Sequence, residues 1–277
     1  MKLFLHHMKL IIHRVKAILH CMKPILHCKR YGAGDPLLIL HGLFGCWDNW
    51  HPVARALAER FRVYVPDLRN HGHSFHSPRF DYEVMADDIQ RLMDTLVLEQ
   101  AALLGHSMGG KLALRYAARS PQRVSKLVVV DITHRPSPPV HAEAVEALAC
   151  LDLSSLKGLK DAEDRLRPAI PDQAVRLFLL KNLDRPPGGA YRWKVNLDAI
   201  RRNLPLICGS VNIRRFSKPC LFIRGAGSDY IQESDWPEIR RLLPQARLVT
   251  IAASGHWPHV ENQRDFLAAA SDFLVAP

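Results

Sequence analysis

The sequence predicts an α/β protein with a mostly parallel central sheet flanked by helices and a helical insertion late in the chain. Three observations predict it. From residue 36 onward, short apolar runs alternate with amphipathic stretches. Each run ends on a glycine or a polar residue. Between about residues 134 and 218 the alternation stops, and helical patterns follow one another. Runs that are apolar on both faces read as strands buried in a parallel sheet. Strands that alternate with helices read as βα units.

The elements follow in order. Residues 37–40, 61–66, 101–104, 127–130, 221–223 and 248–251 are the apolar runs and the predicted strands; residues from Met22 read as an edge strand leading into the domain. Residues 50–60, 82–96, 107–119 and 265–274 have apolar residues at helical spacing. The proline-rich stretch His134-Arg135-Pro136-Ser137-Pro138-Pro139 opens the insertion, and helical patterns follow at 140–149, 156–166 and 173–183. Arg185-Pro186-Pro187-Gly188-Gly189 punctuates it. The simplest account is one domain over residues 22–277, with a helical cap at about 136–216 lying over the strand ends. In such sheets functional residues sit just beyond the carboxyl ends of the strands.

Composition sets bounds. The chain has 277 residues, 48% hydrophobic and 23% charged, as in ordinary globular proteins. Its formal charge is +11, but seven basic residues and no acid fall within residues 1–30, which leaves +4 for the rest. A charge concentrated in one tail is not the footprint of a nucleic-acid-binding body, so no nucleic-acid partner is expected. Six cysteines form no Cys-x-x-Cys pair and read as free thiols in a reducing compartment, which points to the cytoplasm. No run reaches the roughly 18 apolar residues of a membrane span. In residues 1–21, Phe4, Met8, Ile11, Val15 and Ile18 share one helix face, with Lys9, Arg14 and Lys16 at other positions. That leader reads as an organelle-targeting or membrane-surface helix, or as a segment dispensable for catalysis.

The chemistry concentrates in Leu104-Gly105-His106-Ser107-Met108-Gly109-Gly110, a Gly-x-Ser-x-Gly segment between a predicted strand and a predicted helix. Such a turn exposes the serine hydroxyl at a helix N-terminus, with small neighbours letting strand and helix approach. Ser107 is the candidate nucleophile, and the Met108 N–H is a candidate oxyanion donor. A hydroxyl needs a base. His256, in Gly255-His256-Trp257 after the last predicted strand, fits the chain order nucleophile, acid, histidine; His259 reads as a surface or helix-start residue. His41-Gly42-Leu43-Phe44-Gly45 follows an early strand and offers the Leu43 N–H as the second oxyanion donor. The acid stays open on the residues alone. Asp131 ends an apolar strand, where a carboxylate needs a partner. Asp229 lies one residue past the Gly-x-x-Asp position, which Ser228 occupies after Gly225. His71, His73 and His76 crowd one loop without a cysteine or carboxylate cluster, so the loop reads as polar and no metal or cofactor is expected. Trp193, in Tyr191-Arg192-Trp193-Lys194-Val195, is a candidate pocket residue of the cap, with burial inside the cap as the competing reading.

Taken together, His41–Gly45 with Asp48-Asn49-Trp50, Asp67-Leu68-Arg69-Asn70-His71-Gly72, Gly105–Lys111, Val130-Asp131-Ile132, and Gly255-His256-Trp257 with Glu261 resemble the α/β-hydrolase superfamily, and within it the small YbfF-like esterases and their mitochondrial relatives. The resemblance spans roughly residues 22–277. It implies a serine carboxylesterase acting on short-to-medium acyl esters or thioesters, without a cofactor. It favours Asp131 as the acid, with Ser228 as an auxiliary hydrogen-bond partner of His256 and Asp229 as the alternative acid. A cofactor-free perhydrolase or carbon–carbon bond hydrolase uses the same fold and serine. A hydrolase fold reduced to ligand binding is disfavoured by Ser107 and His256. The implied partner is a small-molecule ester; oligomeric state is open.

Overall fold

The computed structural model describes residues 24–137 and 142–276. The leader of residues 1–21 and the first residues of the helix expected from position 140 lie outside them. Among the described residues nine strands are present: β1 (Cys28–Tyr31), β2 (Asp35–Leu40), β3 (Phe61–Pro66), β4 (Ala101–His106), β5 (Val124–Val130), β6 (Leu183–Asp184), β7 (Arg192–Trp193), β8 (Cys220–Gly225) and β9 (Ala246–Ile251). The helices are α1 (His51–Leu57), α2 (Tyr82–Thr95), α3 (Met108–Arg119), α4 (Ala142–Ala149), α5 (Leu159–Leu166), α6 (Gln173–Leu180), α7 (Leu197–Cys208), α8 (Trp236–Leu242), α9 (Pro258–Glu261) and α10 (Gln263–Val275).

Seven strands form one sheet in the order β1-β3-β2-β4-β5-β8-β9. Only β1 runs antiparallel, paired with β3; every other neighbouring pair is parallel. The period of two along each strand divides the core. Leu38, Leu40, Leu103 and Val129 face one layer with Met85 and Ile89 of α2 and Leu112 and Tyr116 of α3. Leu37, Ile39, Leu104 and Val128 face the other, with Val53 and Leu57 of α1 and Phe266 and Leu274 of α10. Both faces are therefore covered, which is why these strands read as apolar runs rather than as alternating ones.

The cap follows β5. It contains α4 to α7 and the two-stranded β6–β7 ribbon. Its helix starts are locally determined. Asp172 accepts the Val175 N–H at the start of α6, and Asn196 accepts the Ala199 N–H at the start of α7. The second cap helix starts at Leu159 rather than near 156, because Gly158 holds an extended backbone just before it. The sequence reading missed α7, whose interior Pro205 looks like a breaker. Among the described residues no helix is long and apolar enough to cross a membrane.

The cap is fastened to the sheet side by buried polar contacts. The Tyr82 hydroxyl donates to the Ile207 carbonyl at 2.8 Å. Lys111 of α3 is buried, and its ammonium donates to the carbonyls of Gly209 (2.7 Å) and Cys208 (3.1 Å), at the carboxyl end of α7. A cation there complements the helix dipole. Burial pushes the Lys111 amine down to about 8. Lys111→Met keeps the length of the side chain but strands the Gly209 carbonyl, while the Cys208 carbonyl keeps the Ser137 N–H at 2.8 Å. A buried polar group left without a partner costs about 1–3 kcal/mol. Urea unfolding of Lys111→Met should show a loss in that range; a wild-type midpoint would mean that the contact holds nothing.

Candidate active site

Ser107 joins β4 to α3 with φ +51° and ψ −119°, a conformation that a side-chain-bearing residue adopts only under constraint. The constraint is visible. The Ser107 N–H donates to the Val130 carbonyl at 3.0 Å, and the Ser107 carbonyl accepts from Gly110 (2.8 Å) and Lys111 (3.1 Å). A Cβ at Gly105 would run into the Gly109 carbonyl, and one at Gly109 into the Leu40 carbonyl. Two glycines thus let strand and helix close on the turn.

Asp131 follows β5, is fully buried and also has a positive φ, +52°. Its Oδ1 accepts the Gly225 N–H at 3.2 Å. Its Oδ2 accepts the Ser228 hydroxyl and faces His256 Nδ1 at 2.8 Å. With Nδ1–H turned to the carboxylate, Nε2 keeps its lone pair. Asp229 is exposed, and no hydrogen bond joins it to His256 among the described residues. Ser228 bonds the carboxylate, not the imidazole as expected, because its hydroxyl meets Oδ2 beside the ring. Ser107 and His256 line one cavity without a direct hydrogen bond between them among the described residues. Nucleophile–base contacts often tighten only with substrate in place.

Residues that the sequence reading passed over surround His256. Tyr230 stacks on its ring with centroids 4.1 Å apart and planes at 25°. His106 Nε2–H donates to the His256 carbonyl at 2.8 Å, and burial holds the His106 ring well below its usual titration range. His259 is no surface residue. It is buried at the start of α9, lies flat on Trp50 with centroids 4.1 Å apart, and burial pushes it down to about 3.

The turn carrying Leu43 is held by two more buried neutral histidines. His41 Nδ1–H donates to the Gly42 carbonyl (2.8 Å), while Nε2 accepts the Leu68 N–H (2.9 Å). His71 Nδ1–H donates to the Arg69 carbonyl, and Nε2 accepts the Phe44 N–H at 3.1 Å. Phe44 itself has φ +62°, and its carbonyl accepts Asn182 Nδ2 from the cap at 2.8 Å. Among the described residues, neither the Leu43 nor the Met108 N–H donates to a protein group.

The cavity measures about 440 Å³. Leu43, Phe44, Ile170, Val175, Phe178 and Leu179 give it apolar walls, and Ser107, Tyr230, His256 and Trp257 stand on its lining. Trp193 is not part of it. The tryptophan sits on β7 opposite Leu183, half-buried against the main core, because the two-stranded ribbon turns it there. The cap reaches the cavity instead through α4, α6 and residues 169–172. Outside that lining, His27, Asp67 and His73 bring their ligand atoms within 4.8 Å of one another, so one histidine of the crowded loop does meet a carboxylate.

A family model described as the alpha/beta hydrolase fold matches residues 35–167. The sn-1-specific diacylglycerol lipase ABHD11 of Danio rerio is 38% identical over 88% of this chain and 80% of its own. Esterase YbfF of Escherichia coli (strain K12) is 32% identical over 86% of this chain and 92% of its own. The chain belongs to the α/β-hydrolase family. A solved structure described as a marine microorganism esterase superposes on this α/β-hydrolase with a TM-score of 0.88, at 38% identity, over 91% of this chain and all of the other.

The buried histidines give this α/β-hydrolase a pH signature. Burial lowers His41, His71, His106 and His259, the second and fourth to about 3. The unfolded chain binds protons below about pH 6.5 that the folded chain refuses. Stability is therefore complete above that pH and is lost as pH falls towards 3. Each such histidine steepens the loss by up to about 1.4 kcal/mol per pH unit. His259→Phe keeps the stacking face and removes one proton site. Its unfolding free energy, measured in urea from pH 7 to 4, should fall less steeply than that of the wild type; parallel curves would count against a neutral His259.

Proposed function

We propose that this α/β-hydrolase is a serine carboxylic-ester hydrolase that acts through an acyl-enzyme. The observation that carries the reading is the 2.8 Å contact between His256 Nδ1 and the buried Asp131, beside a strained Ser107 that opens on an apolar cavity. Ser107 Oγ attacks the acyl carbonyl while His256 Nε2 takes its proton. Asp131 keeps the imidazole in the Nδ1–H tautomer and stabilises the imidazolium. The stacked Tyr230 face adds cation–π stabilisation of that charge. The Leu43 and Met108 N–H groups hold the oxyanion. His256 then protonates the leaving group, and water, activated by the same imidazole, releases the acid.

The apolar walls and the volume of about 440 Å³ suit short-to-medium acyl chains. The names of the relatives, a diacylglycerol lipase and an esterase, support ester substrates; thioesters have the same acyl chemistry. The five described cysteines are unpaired, which supports a reducing compartment, the cytoplasm.

A fluorophosphonate probe should label the wild type and leave Ser107→Ala unlabelled, and p-nitrophenyl butyrate turnover should fall by up to about 10⁶. Equal labelling of the two would reject the nucleophile. The acid has its own test. Asp131→Asn forces the wrong tautomer on His256, and a loss of about 10⁴ in kcat is expected. Asp229→Asn should cost less than about tenfold, because its side chain is exposed and, among the described residues, makes no hydrogen bond to the imidazole. The opposite ranking would transfer the role to Asp229.

A further inference from the structure

The loop after β3 holds a cluster that the catalytic reading leaves unused. Asp67 is fully buried. Its Oδ1 accepts the Trp47 N–H at 2.7 Å, and its Oδ2 accepts the His73 N–H at 2.9 Å. Two imidazoles crowd the same Oδ2, His27 Nδ1 at 3.0 Å and His73 Nδ1 at 3.4 Å. Three nitrogens thus converge on an oxygen with two lone pairs. The two rings are 4.9 Å apart.

We propose that His27, Asp67 and His73 form a binding site for a divalent transition metal of the zinc class. The donor set, two imidazoles and one carboxylate, is the kind that such cations take. Zinc holds nitrogen and oxygen ligands at about 2.0–2.2 Å, which sets neighbouring tetrahedral ligands about 3.3–3.5 Å apart. The observed nitrogen–oxygen separations of 3.0 and 3.4 Å are close to that spacing, and all three ligand atoms lie within 4.8 Å of one another, so the two rings turn towards each other to close on the cation. The cation takes the Nδ1 lone pairs of both rings and replaces their N–H groups on Oδ2, which leaves the His73 N–H as the one donor there. The two backbone N–H groups orient the carboxylate beforehand, as outer-shell partners do in metal sites. The His27 and His73 side chains are 31% and 66% exposed, so the remaining coordination position opens to water. Cys28 stays outside the set. Its thiol turns to the Lys29 carbonyl, and burial pushes it up to about 12.

The site joins the segment entering β1 to the loop closing β3. Through the Trp47 N–H on Asp67 it also braces the chain just after the Leu43 turn. None of its three ligands lines the cavity. A metal there stabilises the fold without entering the chemistry.

The test is zinc titration of the full chain, followed by competition with a chromophoric chelator and by thermal unfolding. His6, His7, His13, His20 and Cys21 are further potential ligands in the sequence, so the site is counted by difference between the wild type, H27Q and H73Q. Ester turnover without zinc verifies that each variant is folded. The wild type should bind one more equivalent of zinc than either variant. Its thermal midpoint should rise with zinc by several degrees more than theirs, and a chelator should reverse the rise. Equal stoichiometry and equal shifts in all three proteins would overturn the proposal. So would a loss confined to one of the two variants, because the site needs both rings.

Discussion

The site is organised around one buried charge. Asp131 has no solvent exposure, and it stands at the end of β5, a central strand. An ionised carboxylate in such surroundings is untenable without donors. The donors come from Gly225 at the end of β8, Ser228 just after it, and His256 in the loop after β9. All three arrive only if β5, β8 and β9 are parallel and in register, with Val130 beside Ile223 and Gly225 beside Ile251. The positive φ at Asp131 turns the side chain towards that corner, and the Asp131 N–H stays satisfied by the Ile223 carbonyl at 2.8 Å. Sheet register, backbone strain and the imidazole tautomer are thus aspects of one constraint. Low local dielectric strengthens the Asp131–His256 interaction and makes any missing partner correspondingly costly.

Around this corner the chain uses neutral histidines as rigid pegs. A neutral imidazole donates on one side and accepts on the other. His41 and His71 use both sides to hold the turn at Leu43 and Phe44. His106 uses one nitrogen to hold the His256 backbone. Burial removes their charged forms, so these bonds persist at neutral pH and weaken only in acid. His256 differs from all of them by facing a carboxylate. In the proposed mechanism that contact makes His256 the proton carrier, while the neutral histidines around it serve as fixed scaffold.

How much of this was legible in the sequence follows from which signals are local. The apolar runs gave away the parallel strands because both sheet faces are covered. The elbow was legible because Gly105, Ser107 and Gly109 lie within one turn. Asp131 was readable as a carboxylate needing a partner, but the partner, 125 residues away, was a choice among fifteen histidines. Helix α7 escaped because Pro205 sits inside it, and tertiary anchoring at Tyr82 and Lys111 overrides that local penalty. Trp193 was misplaced because the direction of a cap side chain depends on a two-residue ribbon with no periodicity to read. His27 and Asp67 are 40 residues apart, and only the antiparallel pairing of β1 with β3 brings them together.

The remaining feature is the division between the two parts of the cavity wall. Ser107, Asp131 and His256 follow β4, β5 and β9, so the sheet fixes their spacing. Ile170, Val175, Phe178 and Leu179 come from the cap, and Phe178 packs on Trp257 with ring centroids 5.7 Å apart. Apolar wall residues can therefore change size or shape without disturbing the buried network around Asp131. A bond crosses the division at the turn carrying Leu43, where Asn182 of the cap donates to the Phe44 carbonyl at 2.8 Å. Phe44 directly follows Leu43 and carries the positive φ that orients the turn. The cap thus meets the turn at a backbone carbonyl one residue from the Leu43 N–H. In the proposed mechanism, the fit of substrate against the cap therefore bears on the stabilisation of the oxyanion, while proton transfer is anchored in the sheet.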